Sequence, residues 1–301
     1  MNSISNIKTL AESLKCNCKV NEPMSIHTTF KIGGNAELFI EAETNTQLAQ
    51  ILKSCNDNSI PFMILGKGSN LLVNDEGIIG VVISLAGDFK KIDLLDNNTI
   101  YCGSGASLAK LCTKALSCNL SGLEFAWGIP GSVGGAAFMN AGAYSGEMKD
   151  VIVSVTHMTP QGKIETLKKD ELNLSYRHSV YKENGFIIIG VTVQLKNDDP
   201  AKIRAKMDDF MNRRKSKQPL EYPSAGSVFK RPEGAFAGTL IEQCNLKGVS
   251  VGDAQVSEKH AGFIINTGNA TCKDVCSLIK KVQETVKKET GYTLEREIIL
   301  L

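Results

Sequence analysis

No apolar run in the 301 residues approaches the roughly 20 that a membrane-spanning helix needs. The opening MNSISNIKTLAESLKC is amphipathic and lacks the apolar core of a signal peptide, so a cytoplasmic protein is expected. Neither sign of charge is in excess. The 34 Lys and Arg against 32 Asp and Glu leave a net charge of +2, which gives no electrostatic case for nucleic acid or an anionic membrane. The nine cysteines include no C-x-x-C. The close pairs Cys16/Cys18 and Cys272/Cys276 have no histidine at a metal-ligand interval, so reduced thiols and no metal are expected.

Several catalytic motifs are missing as well. There is no G-x-x-x-x-G-K-[ST] phosphate loop. There is no G-x-S-x-G, and no Ser-His-Asp logic can be built, so nothing points to a serine hydrolase. Gly103-Ser-Gly105 opens a helix after a strand, but Leu108 stands where a dinucleotide fingerprint has its third glycine. Glu124 lies about the right distance on without ending a second strand, so a Rossmann site is rejected.

What is present is ordinary globular composition, 42% apolar and 22% charged, at a length that calls for two or three domains. Apolar periodicity predicts helices over 4–16, 44–55, 105–118 and 235–244. Asp199 followed by Pro200 predicts a helix start, with Ile203, Met207, Phe210 and Met211 as its buried stripe. Thr271, with Asp274 three residues on, predicts a capping box for the last helix. Strands are predicted over 37–41, 62–65, 71–73, 81–85, 99–102, 151–157, 162–167 and 185–195. The stretch 24–36 alternates and breaks at Gly33-Gly34, like a strand entering a tight turn.

Six glycines fall between Gly128 and Gly146, interleaved with small residues. Glycine carries the largest backbone entropy cost of folding, so such a cluster implies close approach to the main chain. Bare amides make a nest for an anion such as a diphosphate. Gly131-Ser-Val-Gly-Gly135 offers consecutive N–H donors plus the Ser132 hydroxyl, and Pro130 fixes the backbone leading in. A Gly-rich turn between packed elements is the other reading of the same residues. Gly66-Lys-Gly-Ser-Asn70 is a second stretch of this kind, with Ser69 and Asn70 as added donors.

IPGSVGGAAFMNAGAY, residues 129–144, resembles the flavin diphosphate loop of the FAD-binding family of vanillyl-alcohol oxidase and p-cresol methylhydroxylase. In detail it is similar to that of the UDP-N-acetylenolpyruvoylglucosamine reductases. The resemblance runs through five motifs in order, from His27 to Glu297. It implies FAD contacts from Gly66, Gly68, Ser69 and Asn70, and from Ile129, Pro130, Gly131, Ser132, Gly134 and Gly135. In Leu174-Ser-Tyr-Arg-His-Ser179 it matches Arg177 to an arginine beside the substrate's enolpyruvyl carboxylate, with Tyr176 as a substrate contact. A guanidinium suits that task because it is always charged and binds carboxylate bidentately; without the motif, a lone loop arginine reads as a solvated charge. Arg213-Arg-Lys-Ser-Lys-Gln-Pro219 implies that Lys217 reaches the UDP diphosphate, whereas basic residues at a helix end otherwise suit the macrodipole. Ala225-Gly-Ser-Val-Phe-Lys230 matches Ser227 to the proton donor and Lys230 to a substrate-loop lysine. Glu297 matches the catalytic glutamate. Gly262 and Arg296 depart from the Asn and Pro common in the family. The segment 181–186 is too short for the tyrosine-bearing lid of one subtype.

The resemblance therefore implies an α/β fold. A helix over 1–22 precedes an FAD-binding PCMH-type domain over 23–198, in subdomains of about 23–86 and 87–198. A substrate-binding α+β domain over 199–301 follows. The implied reaction is reduction of UDP-N-acetylglucosamine enolpyruvate to UDP-N-acetylmuramate in peptidoglycan precursor synthesis. NADPH gives hydride to flavin N5, hydride passes to C3 of the enolpyruvyl group, and Ser227 protonates C2. Arg177 and a protonated Glu297 stabilise the enolate. A monomer with non-covalent FAD is expected; residue type alone leaves His27 and His157 open as attachment points. Two rivals stand beside this reading: another flavin oxidase or dehydrogenase of the same fold, and a non-catalytic UDP-sugar or flavin carrier.

Overall fold

The computed structural model describes residues 3–96 and 98–301. Met1 and Asn2, the start of the expected 1–22 segment, lie outside the described residues. Two compact units share the chain: Met1–Val20, Leu38–Lys67 and Gly80–Arg213 form one; Asn21–Glu37, Gly68–Ile79 and Arg214–Leu301 form the other.

The first unit holds two hydrophobic cores. In one, the buried face of the helix Asn45–Asp57 (Leu48, Ile51, Leu52 and Cys55) packs with Leu38, Ile40, Val81 and Ile83, and with Ile7 and Ala11 of the helix Ser3–Ser13. A capping box starts Asn45–Asp57, with Thr44 accepting from the Gln47 amide and Gln47 reaching back. The strand Phe62–Leu65 pairs in parallel with Ile78–Leu85. The other core lies against an antiparallel sheet of five strands, in the order Ile164–Lys168, Ile152–Met158, Ile187–Gln194, Thr99–Gly103, Ile92–Leu94. The helix Leu108–Ser117 buries Leu108, Leu111, Cys112 and Ala115 in that core. Gly103 and Gly105 serve packing: an added Cβ would stand 2.3 Å from the Phe89 carbonyl oxygen and 2.2 Å from that of Leu85.

The second unit is built on an antiparallel sheet in the order Ser224–Ser227, Phe263–Asn266, Ala254–Val256, Ser250–Val251. The helix Cys272–Thr290 buries Val275, Leu278, Ile279, Val282 and Val286 in its core. Thr271 and Asp274 form the expected capping box, each side chain accepting from the other's amide at 3.0 Å. In the first unit, Asp199 caps the helix Pro200–Lys217 as expected, accepting from the Ala201 amide at 2.8 Å. Ile203, Met207 and Phe210 are buried in the core of the five-stranded sheet, while Met211 is only half-buried.

Two local expectations differ from the structure. The first helix stops at Ser13, Lys15 takes a left-handed φ of 63°, and a strand Asn17–Pro23 follows. The stretch 24–36 is not a strand. Met24–Ile26 is a 3-10 turn, 27–34 is irregular, and the strand is Asn35–Ala42. Alternation misleads there because the loop closes on itself. The Met24 amide donates to the Gly34 carbonyl, and the Thr28 hydroxyl donates to that of Ile32, so Met24, Phe30 and Ile32 are buried while Ile26 points to solvent.

Candidate active site

In the first unit, the two glycine stretches meet. Ser132 caps the short helix Val133–Phe138, its hydroxyl accepting from the Gly135 amide at 3.2 Å. A Cβ added to Gly66 would stand 2.6 Å from that hydroxyl, and one added to Gly135 would stand 3.2 Å from it. Gly66 and Gly135 are both exposed, so bare main chain faces outward on either side of Ser132.

Three of the five amides in the expected nest over 131–135 are taken up inside the unit. Val133 donates to the Ala106 carbonyl, Gly134 to that of Ser104, and Gly135 to the Ser132 hydroxyl. Buried amides must be paired, and these three are paired inside the unit. What the stretch leaves open is the bare surface at Gly66 and Gly135. The buried Ser104 hydroxyl beside Gly134 has no hydrogen-bond partner among the described residues. A side-chain-free surface suits close approach of a large flat cofactor with an anionic bridge.

Arg177 lies in the same unit, on a tight turn. Ser175 and His178 exchange both backbone hydrogen bonds, at 3.2 and 3.1 Å, and Arg177 adopts a left-handed φ of 54°. Tyr176 is 50% exposed and the Arg177 guanidinium lies over its ring, 5.4 Å from the centroid. The turn is tied from below. Asn140 donates to the Ser175 carbonyl at 2.9 Å, and Ser179 donates to that of Phe138 at 2.7 Å. His178 lies 3.3 Å from Glu183. His157 is wholly buried, its Nδ1 3.1 Å from the Tyr181 hydroxyl and its ring stacked on Phe186.

In the second unit, the 68–70 loop, the Ser227 strand and the chain end form one array. Gly68 is buried where a Cβ would collide with the His27 carbonyl, and it accepts from the Thr29 amide. Thr29 also donates from its hydroxyl to the Ser224 carbonyl at 2.7 Å. His27 Nε2 lies 2.8 Å from Glu22. Between the pairs Ser224–Ile265 and Ser227–Phe263 the first strand carries one extra residue. This bulge, with Gly226 at φ 78°, re-aims Ser227 relative to the rest of its strand.

The C-terminal segment runs antiparallel past that bulge. The Lys230 amide donates to the Glu295 carbonyl (2.8 Å) and the Glu297 amide to the Val228 carbonyl (2.7 Å). Asn70 donates to the Glu297 carbonyl at 3.2 Å, and the Ile299 amide donates to that of Asn70. Ile299–Leu300 then pairs in parallel with Leu71–Leu72. Lys230 Nζ sits 3.0 Å from Glu295. Lys217 ends its helix exposed, and its charge helps to lower the pKa of His260, after the larger effect of burial.

Both departures from the family pattern have local reasons. Arg296 pairs with Phe229 while the hydrogen bonds run through 295 and 297, so the ladder does not need the amide that a proline would lack. The Gly262 amide donates to His260 Nδ1 (3.1 Å), and a Cβ there would stand 3.0 Å from the imidazole. Absence of a side chain leaves room for that ring beside the Gly262 backbone.

Residues 36–168 match the FAD binding domain family, and residues 218–301 match the C-terminal domain of UDP-N-acetylenolpyruvoylglucosamine reductase. The chain is 49% identical to the UDP-N-acetylenolpyruvoylglucosamine reductase of Syntrophomonas wolfei over 280 residues, covering 93% of each chain. It is 47% identical to that of Agathobacter rectalis, covering 98% of each. The chain belongs to the UDP-N-acetylenolpyruvoylglucosamine reductase family. The crystal structure of the reductase from Thermus caldophilus superposes with a TM-score of 0.81 at 37% identity, over 95% of this chain and 98% of that one. The reductase fold here is thus the α/β FAD-binding PCMH-type fold joined to the family's C-terminal domain, and the cofactor is FAD.

Sequence reading missed two parts of this arrangement. Asn140 stood inside the quoted motif without a role. The tie between Asn70 and Glu297 spans 227 residues, which no local pattern reveals. Among the described residues no group of His, Cys, Asp and Glu could hold a metal, and no helix is long and apolar enough to cross a membrane. No disulfide joins the nine cysteines. Burial pushes the Cys272 thiol up to about 12, with Cys276 adding to the shift.

Proposed function

We propose that Arg177, Ser227 and Glu297 carry the substrate half of the family's reaction, the NADPH-dependent reduction of UDP-N-acetylglucosamine enolpyruvate. FAD supplies the two-electron relay between NADPH and the enolpyruvyl group. Arg177 binds the enolpyruvyl carboxylate, where a fixed guanidinium offers two donors and a charge that does not titrate. Hydride addition at C3 leaves negative charge spread from C2 towards that carboxylate. Glu297 holds a proton against this charge, since a bare carboxylate would repel it. Ser227 donates the proton that ends at C2. Preorganised donors of this kind are worth about 3–4 kcal/mol each. Lys217 reaches the UDP diphosphate, Lys230 contacts the substrate from its loop, and Tyr176 flanks the substrate beside Arg177.

The observation that supports this reading most is the hydrogen bond from the Glu297 amide to the Val228 carbonyl. It sets the proposed glutamate alongside the residue next to Ser227, on a strand that a bulge has turned. For the cofactor, Gly66, Gly68, Ser69, Asn70, Ile129, Pro130, Gly131, Ser132, Gly134 and Gly135 form the contact set, with FAD held non-covalently. The FAD-binding part spans 23–198 and the substrate part 199–301, in a cytoplasmic monomer.

The test separates the half-reactions. Ser227→Ala leaves flavin reduction by NADPH at the wild-type rate and slows reoxidation by the enolpyruvyl substrate about 10²- to 10⁴-fold, the usual share of a general acid. Reoxidation at the wild-type rate would remove Ser227 from this role.

A further inference from the structure

We infer that Asn140 is a positioning residue for Arg177, acting through the carbonyl of Ser175. The inference rests on the reading of Arg177 as the carboxylate ligand.

Asn140 is 0% exposed and sits just past the helix Val133–Phe138, whose first turn begins at Ser132. Its amide is fully used. Nδ2 donates to Glu147 Oε2 at 2.7 Å and to the Ser175 carbonyl at 2.9 Å, while Oδ1 accepts from the Lys149 amide at 2.8 Å. Its backbone has φ 42°, a left-handed value that asparagine tolerates better than most residues. Few side chains meet all of these demands. Aspartate accepts from Lys149 but sets a carboxylate against Glu147 and the Ser175 carbonyl. An apolar residue leaves buried donors and acceptors unpaired.

The bond to Ser175 reaches the turn that carries Arg177. The same carbonyl accepts from the His178 amide and so closes the turn around Tyr176 and Arg177. Arg177 itself takes a left-handed φ. A non-glycine residue holds that conformation only where its surroundings impose it. Asn140, with Ser179 donating to Phe138 two residues earlier in the chain than Asn140, imposes it from the end of a helix that starts in the cofactor loop. One short rigid element thereby links the loop proposed to hold FAD and the turn proposed to hold the substrate carboxylate. Misplacement of a binding group by about 1 Å can cost on the order of 100-fold in rate.

The experiment is a double-mutant cycle read on the separate half-reactions of the FAD-loaded enzyme. Asn140→Gly keeps the backbone conformation and removes the donor; Asn140→Ser is the second variant, in case the first does not fold. The inference expects flavin reduction by NADPH within about twofold of wild type. It expects reoxidation by UDP-N-acetylglucosamine enolpyruvate to fall about 10- to 100-fold, with KM for that substrate raised. In an Arg177→Ala background the same substitution should add less than about threefold, since coupled residues are non-additive. Glu147→Ala, which removes Asn140's other acceptor and leaves its bond to Ser175, should have little effect on reoxidation. Equal factors in both backgrounds, or equal slowing of both half-reactions, would mean that Asn140 only supports the fold, and the inference is then wrong. If Arg177→Ala itself leaves reoxidation unchanged, the role of Arg177 fails first and the inference falls with it.

Discussion

Asn70 donates its side-chain amide to the main-chain carbonyl of Glu297 at 3.2 Å, and the carbonyl of Asn70 accepts from the Ile299 amide. A residue of the second glycine stretch is thus bonded to the residue matched to the family's catalytic glutamate. The parallel pairing of Leu71–Leu72 with Ile299–Leu300 extends the same seam. The seam ties the loop proposed to contact FAD to the segment proposed to carry the catalytic glutamate.

Asn70→Ala cuts that seam at its first bond. A hydrogen bond of this kind contributes about 1 kcal/mol, so the thermal midpoint should fall by about 2–4 °C. The same variant should release FAD faster, read as the recovery of flavin fluorescence on dilution. Wild-type values for both quantities would show that the tie carries no weight.

Glu297→Gln should retain more activity than Glu297→Ala. Glutamine still presents a hydrogen-bond donor to developing negative charge, whereas alanine presents none. The alanine variant should lose about 10²- to 10³-fold in substrate-driven reoxidation. If both variants lost activity equally, donation of a hydrogen bond would not be what Glu297 contributes.

Gly66→Ala sets a Cβ 2.6 Å from the Ser132 hydroxyl. Overpacking of this kind costs about 1–3 kcal/mol. The variant should be less stable and hold FAD more weakly. Adding Ser132→Gly removes the colliding hydroxyl and should restore part of the stability, since glycine is a tolerable cap. Thermal melts of the single and double variants decide this, and a double variant less stable than Gly66→Ala alone would count against the clash.

Burial holds the pKa of His157 below the ordinary 6.5, against an opposing pull from Glu165. Burial likewise lowers His260, against its own backbone hydrogen bond. Both rings are therefore favoured neutral in the folded chain. Below pH 6.5 the unfolded chain binds these protons more readily than the folded one. Stability present above that pH is lost as pH falls through the lower folded values. The thermal midpoint should drop on acidification in that window, and replacing His157 with Gln should flatten the slope. An unchanged slope in the variant would exclude His157 as its source.

Much of this arrangement was legible because its signals are local. Thr271 with Asp274 and Asp199 with Pro200 each announce a helix start within four residues, and the caps stand where they were expected. The glycine stretches were legible as places of close approach. The partners of their amides were not, because the Ala106 and Ser104 carbonyls come from a different part of the chain. The stretch 24–36 misled for a related reason. Alternating apolar residues suit a strand, yet closure of the loop between Met24 and Gly34 buried Met24 and left Ile26 in solvent. Arg177, Ser227 and Glu297 stood out only through the motifs around them. Residue type alone would have left each as a surface charge or a turn hydroxyl.

The most direct test of the central claim is NADPH consumption by the purified, FAD-loaded protein, with and without UDP-N-acetylglucosamine enolpyruvate. The account predicts slow consumption alone and strong stimulation by that substrate, with UDP-N-acetylmuramate as product. Flavin reduction by NADPH with no stimulation would contradict it, and would remove the ground for Arg177, Ser227 and Glu297 as a catalytic set.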